Sequence, residues 1–120
     1  MQIENNKAQM RKGVLELCIL LILSRREAYP SDIIEDLKKI GLELPEGTVY
    51  PLLTRLKNDG LLAYRWEEST KGPPRKYYKA TGEGAAFALE LDKAWQELTQ
   101  SIERLREQPE STNQNATNEL

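Results

Sequence analysis

The sequence predicts a mainly α-helical chain with one small β-hairpin and a single long C-terminal helix. Three observations lead there. Within PEGTVYPLLTRLKNDGLL, residues 45–62, Val49, Leu52, Leu53 and Leu56 fall at offsets i, i+3, i+4 and i+7, the signature of a helix with one buried face. After Gly60, LLAYRWEES and RKYYKAT carry strand-forming residues and are separated by TKGPP. From Thr81 onward, Ala88, Leu91, Trp95, Leu98, Ile102 and Leu105 recur at alternating spacings of three and four, the seam of a coiled coil.

At 120 residues with 39% hydrophobic content, the chain makes one small domain plus one extra helix. Its first residues, through Lys12, are polar and read either as a flexible arm, most of all over 1–9, or as the first turns of a helix. From Met10 to Ser24 a near-continuous apolar run marks a helix with two apolar faces, Val14, Leu17, Cys18, Leu21 and Ile22 on one and Leu15, Ile19 and Leu23 on the other. A domain this small has one core, so the second face calls for another partner, such as a second subunit. The run carries Glu16 and is too short to span a bilayer, which with the lack of a signal-peptide pattern predicts a soluble cytoplasmic protein with no membrane partner.

Pro30 precedes SDIIEDLKKIG, where Ser31 is the expected N-cap, Asp32 and Glu35 stand in the first turn, Lys38 and Lys39 in the last, and Gly41 is the stop. LELP, residues 42–45, is the turn into the central helix. Pro51 cannot donate to the carbonyl near Gly47, so the first turn of that helix is expected to be irregular, and the residue either exposes backbone toward phosphates or only sets a bend. Helix, turn, amphipathic helix and hairpin in this order form a winged helix-turn-helix. Residues 81–107 form the long last helix, and the polar tail 108–120 is expected to be disordered.

The outward side of the central helix carries Thr48, Tyr50, Pro51, Thr54, Arg55, Lys57 and Asn58, with Glu46 and Asp59 only at its ends. Short hydrogen-bonding groups and cations suit a helix lying in the major groove of double-stranded DNA, where an Arg forks onto a guanine edge or a phosphate. The hairpin adds KGPPRKYYK, with Lys71, Arg75, Lys76 and Lys79 and no acid, which suits a minor groove or the sugar-phosphate backbone. The net charge of −2 hides an asymmetry. Residues 1–80 carry 14 cations and 11 anions, a net of +3, while residues 81–120 carry 3 and 8, a net of −5. The first part is the expected DNA-binding domain and the last helix the expected dimerisation element, through Leu91, Trp95, Leu98, Ile102 and Leu105 together with Val14, Leu17 and Leu21 of the first helix. Trp95 reads from its spacing as a core anchor of that seam.

Other classes fare worse. The chain has no His, which removes Ser/His/Asp and Cys/His catalysis and any His-containing zinc site; no metal cluster or cofactor motif is present, and an enzyme is not expected. The single Cys18 rules out an internal disulfide. The rival reading is a winged-helix module that grips a partner protein without binding DNA. Its mark would be apolar anchors on the exposed face of the central helix, and only Tyr50 and Pro51 qualify.

EGTVYPLLTRLKNDGLL, the following W-E-E-S, then KGPPRKYYKAT and the long last helix closely resemble the PadR-like bacterial transcriptional regulators, in the short form with a single C-terminal helix. The likeness runs from Met10 to Leu105, with G-T-V-Y-P and G-P-P-R-K-Y-Y its specific strings. It implies a winged helix-turn-helix, a homodimer built from first and last helices, and repression at a pseudo-palindromic operator, often relieved by a small aromatic or hydrophobic effector. It also implies Thr48, Tyr50, Pro51, Thr54 and Arg55 as recognition-helix residues, Lys71, Gly72, Pro73, Arg75 and Lys76 as wing residues, and Trp95 as a lining residue of a ligand pocket. Two strings depart from the family pattern: Y-P-S-D at 29–32 stands where many members have Y-G-Y-E, and T-G-E-G at 81–84 replaces the commoner T-E-K-G.

Overall fold

A computed structural model describes residues 2–110. Its element order is α1 (Ile3–Arg25), α2 (Pro30–Lys39), α3 (Glu46–Asn58), β1 (Leu62–Glu67), β2 (Arg75–Ala80) and α4 (Gly82–Glu107). The chain is thus mainly helical with one antiparallel hairpin, a winged helix-turn-helix followed by a long terminal helix. Of the two readings of the N-terminal residues, the helix prevails, since α1 begins at Ile3. The tail expected to be disordered over 108–120 lies, from residue 111 on, outside the described residues.

One core joins all the elements. α1 contributes Leu15, Ile19, Leu20 and Leu23; α2 contributes Ile33 and Leu37; α3 contributes Val49, Leu53 and Leu56; Leu62, Tyr78 and Ala88 close it from the hairpin and α4. The stripe that defined α3 in the sequence is buried, except that Leu52 is only half-buried at its edge. Two local expectations are corrected. The N-cap of α2 is Tyr29, not Ser31, because Pro30 already has the fixed backbone angle of a first helical position, and the Asp32 carboxylate accepts from the Tyr29 backbone N–H at 3.2 Å. The first turn of α3 is helical despite Pro51, whose missing N–H costs one bond inside a helix that continues to Asn58.

The end of α3 sets the position of everything after it. Gly60 has φ +82°, and the Gly60 and Leu61 N–H groups donate back to the carbonyls of Lys57 and Leu56, a closure that a left-handed residue permits. The Thr81 side chain then ties α4 to this turn. Its hydroxyl donates to the Gly60 carbonyl at 2.7 Å and accepts from the Gly84 N–H at 2.9 Å, while the Thr81 N–H donates to the Leu61 carbonyl. Gly84 is buried directly against the Leu61 backbone, where a Cβ would run into the carbonyl oxygen. In T-G-E-G the cap Thr and the last Gly are therefore the structural residues, and the middle pair is free to vary.

α4 packs its first half on α1 through Ala88 and Leu91. Beyond it, Trp95, Leu98, Ile102 and Leu105 are 43%, 57%, 44% and 66% exposed. Among the described residues no helix is long and apolar enough to cross a membrane. Replacing Gly84 by Ala is expected to cost about 1–3 kcal/mol, because the added methyl meets backbone that cannot turn aside. Gly82→Ala, with open space around it, should leave stability unchanged or slightly higher; urea unfolding of the two variants makes the comparison.

Candidate nucleic-acid interface

With its apolar stripe turned inward, α3 leaves Tyr50, Pro51, Thr54, Arg55, Lys57 and Asn58 exposed and Thr48 half-buried. These residues do not form one patch. Tyr50 and Thr54 meet Arg75 and Lys76 of β2, Trp66 of β1, Tyr78, and Tyr29, Pro30 and Ser31 at the start of α2, around an open hollow of about 660 Å³. On the other flank Thr48, Pro51 and Arg55 line a hollow of about 320 Å³ with Lys12 and Glu16 of α1. Lys57 turns toward the hairpin, its ammonium 5.6 Å from the Tyr64 ring centre. Lys71, Gly72 and Pro73 stand exposed at the hairpin tip.

The flanks differ in charge. Among the described residues, two cations and no carboxylate line the larger hollow, so its potential favours an anion. On the other flank the Arg55 guanidinium donates to Glu16 at 3.3 Å and lies 3.6 Å from Asp59, which offsets its charge within the chain. Such exposed pairs hold weakly, about 0–1 kcal/mol, so a phosphate can compete for the guanidinium. Tyr78 is buried at the back of the larger hollow; burial, then the neighbouring Tyr64 and Tyr50, push its hydroxyl above the usual phenol range, and it stays a neutral hydrogen-bonding group.

Strand pairing aims the wing. In the β1–β2 register Trp66 faces Lys76 and Tyr64 faces Tyr78, so one face of the hairpin carries Trp66, Tyr64, Lys76 and Tyr78 toward α3. The Lys76 ammonium sits 4.5 Å from the Tyr64 ring centre and 5.6 Å from that of Trp66, its chain laid along aromatic surface. On the opposite face four groups stack in sequence. The Arg75 guanidinium lies 4.7 Å over Tyr29, Tyr29 stacks on Tyr77 at 4.5 Å and 26°, and the Arg65 guanidinium lies 4.7 Å over Tyr77. Arg65 is paired with Glu27 at 2.9 Å and also with Glu67. These bonds hold its pKa above the ordinary guanidinium value and hold the Glu27 carboxyl below the usual carboxylate range.

Of the residues expected from sequence, Tyr50, Thr54, Arg75 and Lys76 share one site, and Thr48, Pro51 and Arg55 share another. Sequence reasoning did not place Tyr29, Pro30, Ser31 or Trp66 at the interface. The departure at Y-P-S-D marked Pro30 and Ser31, but not Tyr29, as unusual, and the alternation of β1 places Trp66 on the same face as Tyr64, but neither signal names DNA. Trp95 lines a cleft of about 170 Å³ between α1 and α4 with Val14, Leu17, Leu91 and Leu98, whereas Leu21 lines a separate groove with Cys18, Ile22 and Arg25. Burial pushes the Cys18 thiol up, which disfavours the thiolate.

A helix-turn-helix whose second helix runs at once into a basic hairpin, with both on one side of the molecule, defines the winged helix-turn-helix class. Within that class the chain belongs to the transcriptional regulator PadR-like family, which residues 19–90 match. It is similar to a PadR-like transcription factor from Bacteroides fragilis, 58% identical with a TM-score of 0.72, over 84% of this chain and 98% of that one. A PadR family transcriptional regulator from Eggerthella lenta is 31% identical with a TM-score of 0.83, over 89% of this chain and 94% of that one. A transcriptional regulator of Mycobacterium tuberculosis is 30% identical over 78% of this chain and 87% of its own length. The chain is thus a regulator of the DNA-binding kind and not an enzyme.

The Glu27–Arg65 pair gives the wing a pH dependence of definite sign. Because the folded carboxyl titrates below its unfolded value, its contribution is complete above the ordinary carboxylate pKa and is lost as pH falls through and below it, between about pH 5 and pH 3. Glu27→Gln should therefore flatten the acid side of the stability curve, measured by urea unfolding across that range, and leave the neutral side parallel to the parent.

Proposed function

We propose that the protein is a homodimeric, sequence-specific repressor that acts in the bacterial cytoplasm on a pseudo-palindromic double-stranded DNA operator. The observation that carries this reading is the convergence of Tyr50 and Thr54 of α3 with Arg75 and Lys76 of the hairpin around one hollow that, among the described residues, no carboxylate lines. In this arrangement α3 enters a major groove and Tyr50 and Thr54 meet base edges or phosphates, while Arg75 and Lys76 hold the backbone beside it. Thr48, Pro51 and Arg55 serve the other flank of the groove, with Arg55 leaving Glu16 for a phosphate, while Lys57 adds its charge on the hairpin side. Lys71, Gly72 and Pro73 at the wing tip reach the neighbouring minor groove.

Two-fold symmetry then places the heads about one helical turn, 34–36 Å, apart. The apolar stripe of α4 beyond Leu91 supports pairing with a second copy, since among the described residues Trp95, Leu98, Ile102 and Leu105 remain largely exposed. Val14 and Leu17 of α1, which line the cleft beside Trp95, extend that seam, and Leu21, in its separate groove, is a further contact proposed for the second copy. A small aromatic or hydrophobic effector next to Trp95, in a cleft completed by the second copy, is the control that the family resemblance suggests.

Selection of binding sites from random duplex DNA tests the reading as a whole, with enrichment of an inverted repeat as the expected result. Arg75→Ala combined with Lys76→Ala should weaken binding to every sequence and lower the slope of log affinity against log salt by about two. An unchanged slope would remove the wing from the interface. Leu98→Asp should yield monomers that bind DNA poorly, read by sedimentation and anisotropy; an intact dimer would refute the seam.

A further inference from the structure

We propose that Tyr29 is a positioning residue for DNA binding: its ring, held between the Tyr77 ring and the Arg75 guanidinium, fixes Arg75 at the rim of the hollow and makes the start of α2 and the wing engage the duplex as one body. The inference rests on the DNA-binding reading and deepens it. Tyr29 belongs neither to the recognition helix nor to the hairpin. It is brought to both because Ala28 pairs with Tyr78 through two backbone hydrogen bonds of 2.9 Å each, which sets Tyr29 beside Tyr77.

The two ends of the stack are chemically different. At one end Arg65 is neutralised by Glu27 and Glu67. At the other, among the described residues, Arg75 has no ion pair, so its charge is available to an outside anion while its plane rests on Tyr29 at 4.7 Å. An exposed arginine otherwise samples many rotamers, and ordering it on a phosphate costs entropy. A ring that already holds the guanidinium removes part of that cost, as a stacked arginine loses less freedom on binding. The departure at Y-P-S-D fits the same role. Pro30 locks the residue after Tyr29, and the Asp32 carboxylate accepts from the Tyr29 N–H at 3.2 Å, so the backbone that carries the ring is itself held.

The test uses the full chain and a fluorescently labelled duplex of mixed sequence, whose binding reports phosphate contacts. Parent protein that ignores this duplex at low salt overturns the DNA-binding reading itself, and the positioning role with it. Given parent binding, Tyr29→Leu should weaken affinity roughly two- to five-fold, the range expected for a lost cation–π contact, and Tyr29→Phe, which keeps the ring, should match the parent. In an Arg75→Ala background, Tyr29→Leu should bring no further loss. A Tyr29→Leu protein that binds like the parent overturns the proposal. So does an equal loss with Tyr29→Phe, which would point to the hydroxyl, or a loss that persists without Arg75, which would point to general damage. Should Tyr29→Leu fail to fold, Arg75→Lys decides at an exposed position: it keeps the charge but not the stacked plane, and is expected to lose affinity with an unchanged salt slope. Full affinity in Arg75→Lys overturns the proposal.

Discussion

The candidate site depends on β2 being paired along both of its edges. On one side it forms the hairpin with β1; on the other, Tyr78 exchanges two backbone hydrogen bonds with Ala28, a residue of the short link between α1 and α2. A two-stranded hairpin alone is marginal in water and would swing on its connection to α3. With Ala28 as a third rung and the Tyr78 side chain buried in the core, the wing takes a fixed orientation relative to both helices of the helix-turn-helix. The hollow between α3, α2 and the hairpin exists because of that tie. If β2 were free on its outer edge, Lys76 and Trp66 would have no defined relation to Tyr50 and Thr54.

A second constraint is which cations, among the described residues, are paired with carboxylates and which are not. Arg26 is bonded to Asp36, Arg65 to Glu27 and Glu67, and Arg55 to Glu16 and Asp59. These three arginines knit elements together, and their charge is partly offset within the fold. Arg75 and Lys76 rest on aromatic rings, which hold a cation in place without neutralising it. Counting lysines and arginines along the sequence therefore misjudges the surface: an arginine is a brace at 55 and 65 and an available charge at 75.

This difference also explains which parts of the molecule were legible in the sequence. α3 and its exposed residues followed from a local period of 3.6 that the core enforces through Val49, Leu53 and Leu56, and the hairpin followed from strand-forming runs flanking Gly and Pro. Long-range relations were not legible. That Tyr29 stacks on Tyr77 depends on a single bridge between residues fifty apart in sequence, which no window can contain. Gly84 gave the same difficulty. Its string stood out only as a departure from the family pattern, yet the residue is fixed by the approach of the Leu61 backbone, a contact set by the turn at Gly60. Arg55, a base-reading candidate on the grounds of its position, has partners on α1 and at the helix end, so the role proposed for it in binding requires exchanging a carboxylate for a phosphate.

The last helix carries the argument from head to assembly. α4 has 26 residues, about 39 Å of helix, and only its first part is laid against α1. An isolated stretch of the remaining length is marginal as a helix in water, and the apolar residues on it make solitary exposure unfavourable. Those residues keep the spacing of a seam from Leu91 to Leu105, a regularity that the core of the head does not need. A second copy that covers the stripe would at once stabilise the outer helix and fix the distance between two heads. The separation of the heads, and with it the spacing of the half-sites they read, then becomes a property of how two α4 helices and two α1 helices pack. In that arrangement the cleft beside Trp95 lies within the element that sets the spacing, so a molecule wedged there would act on DNA affinity by moving the heads without touching either one.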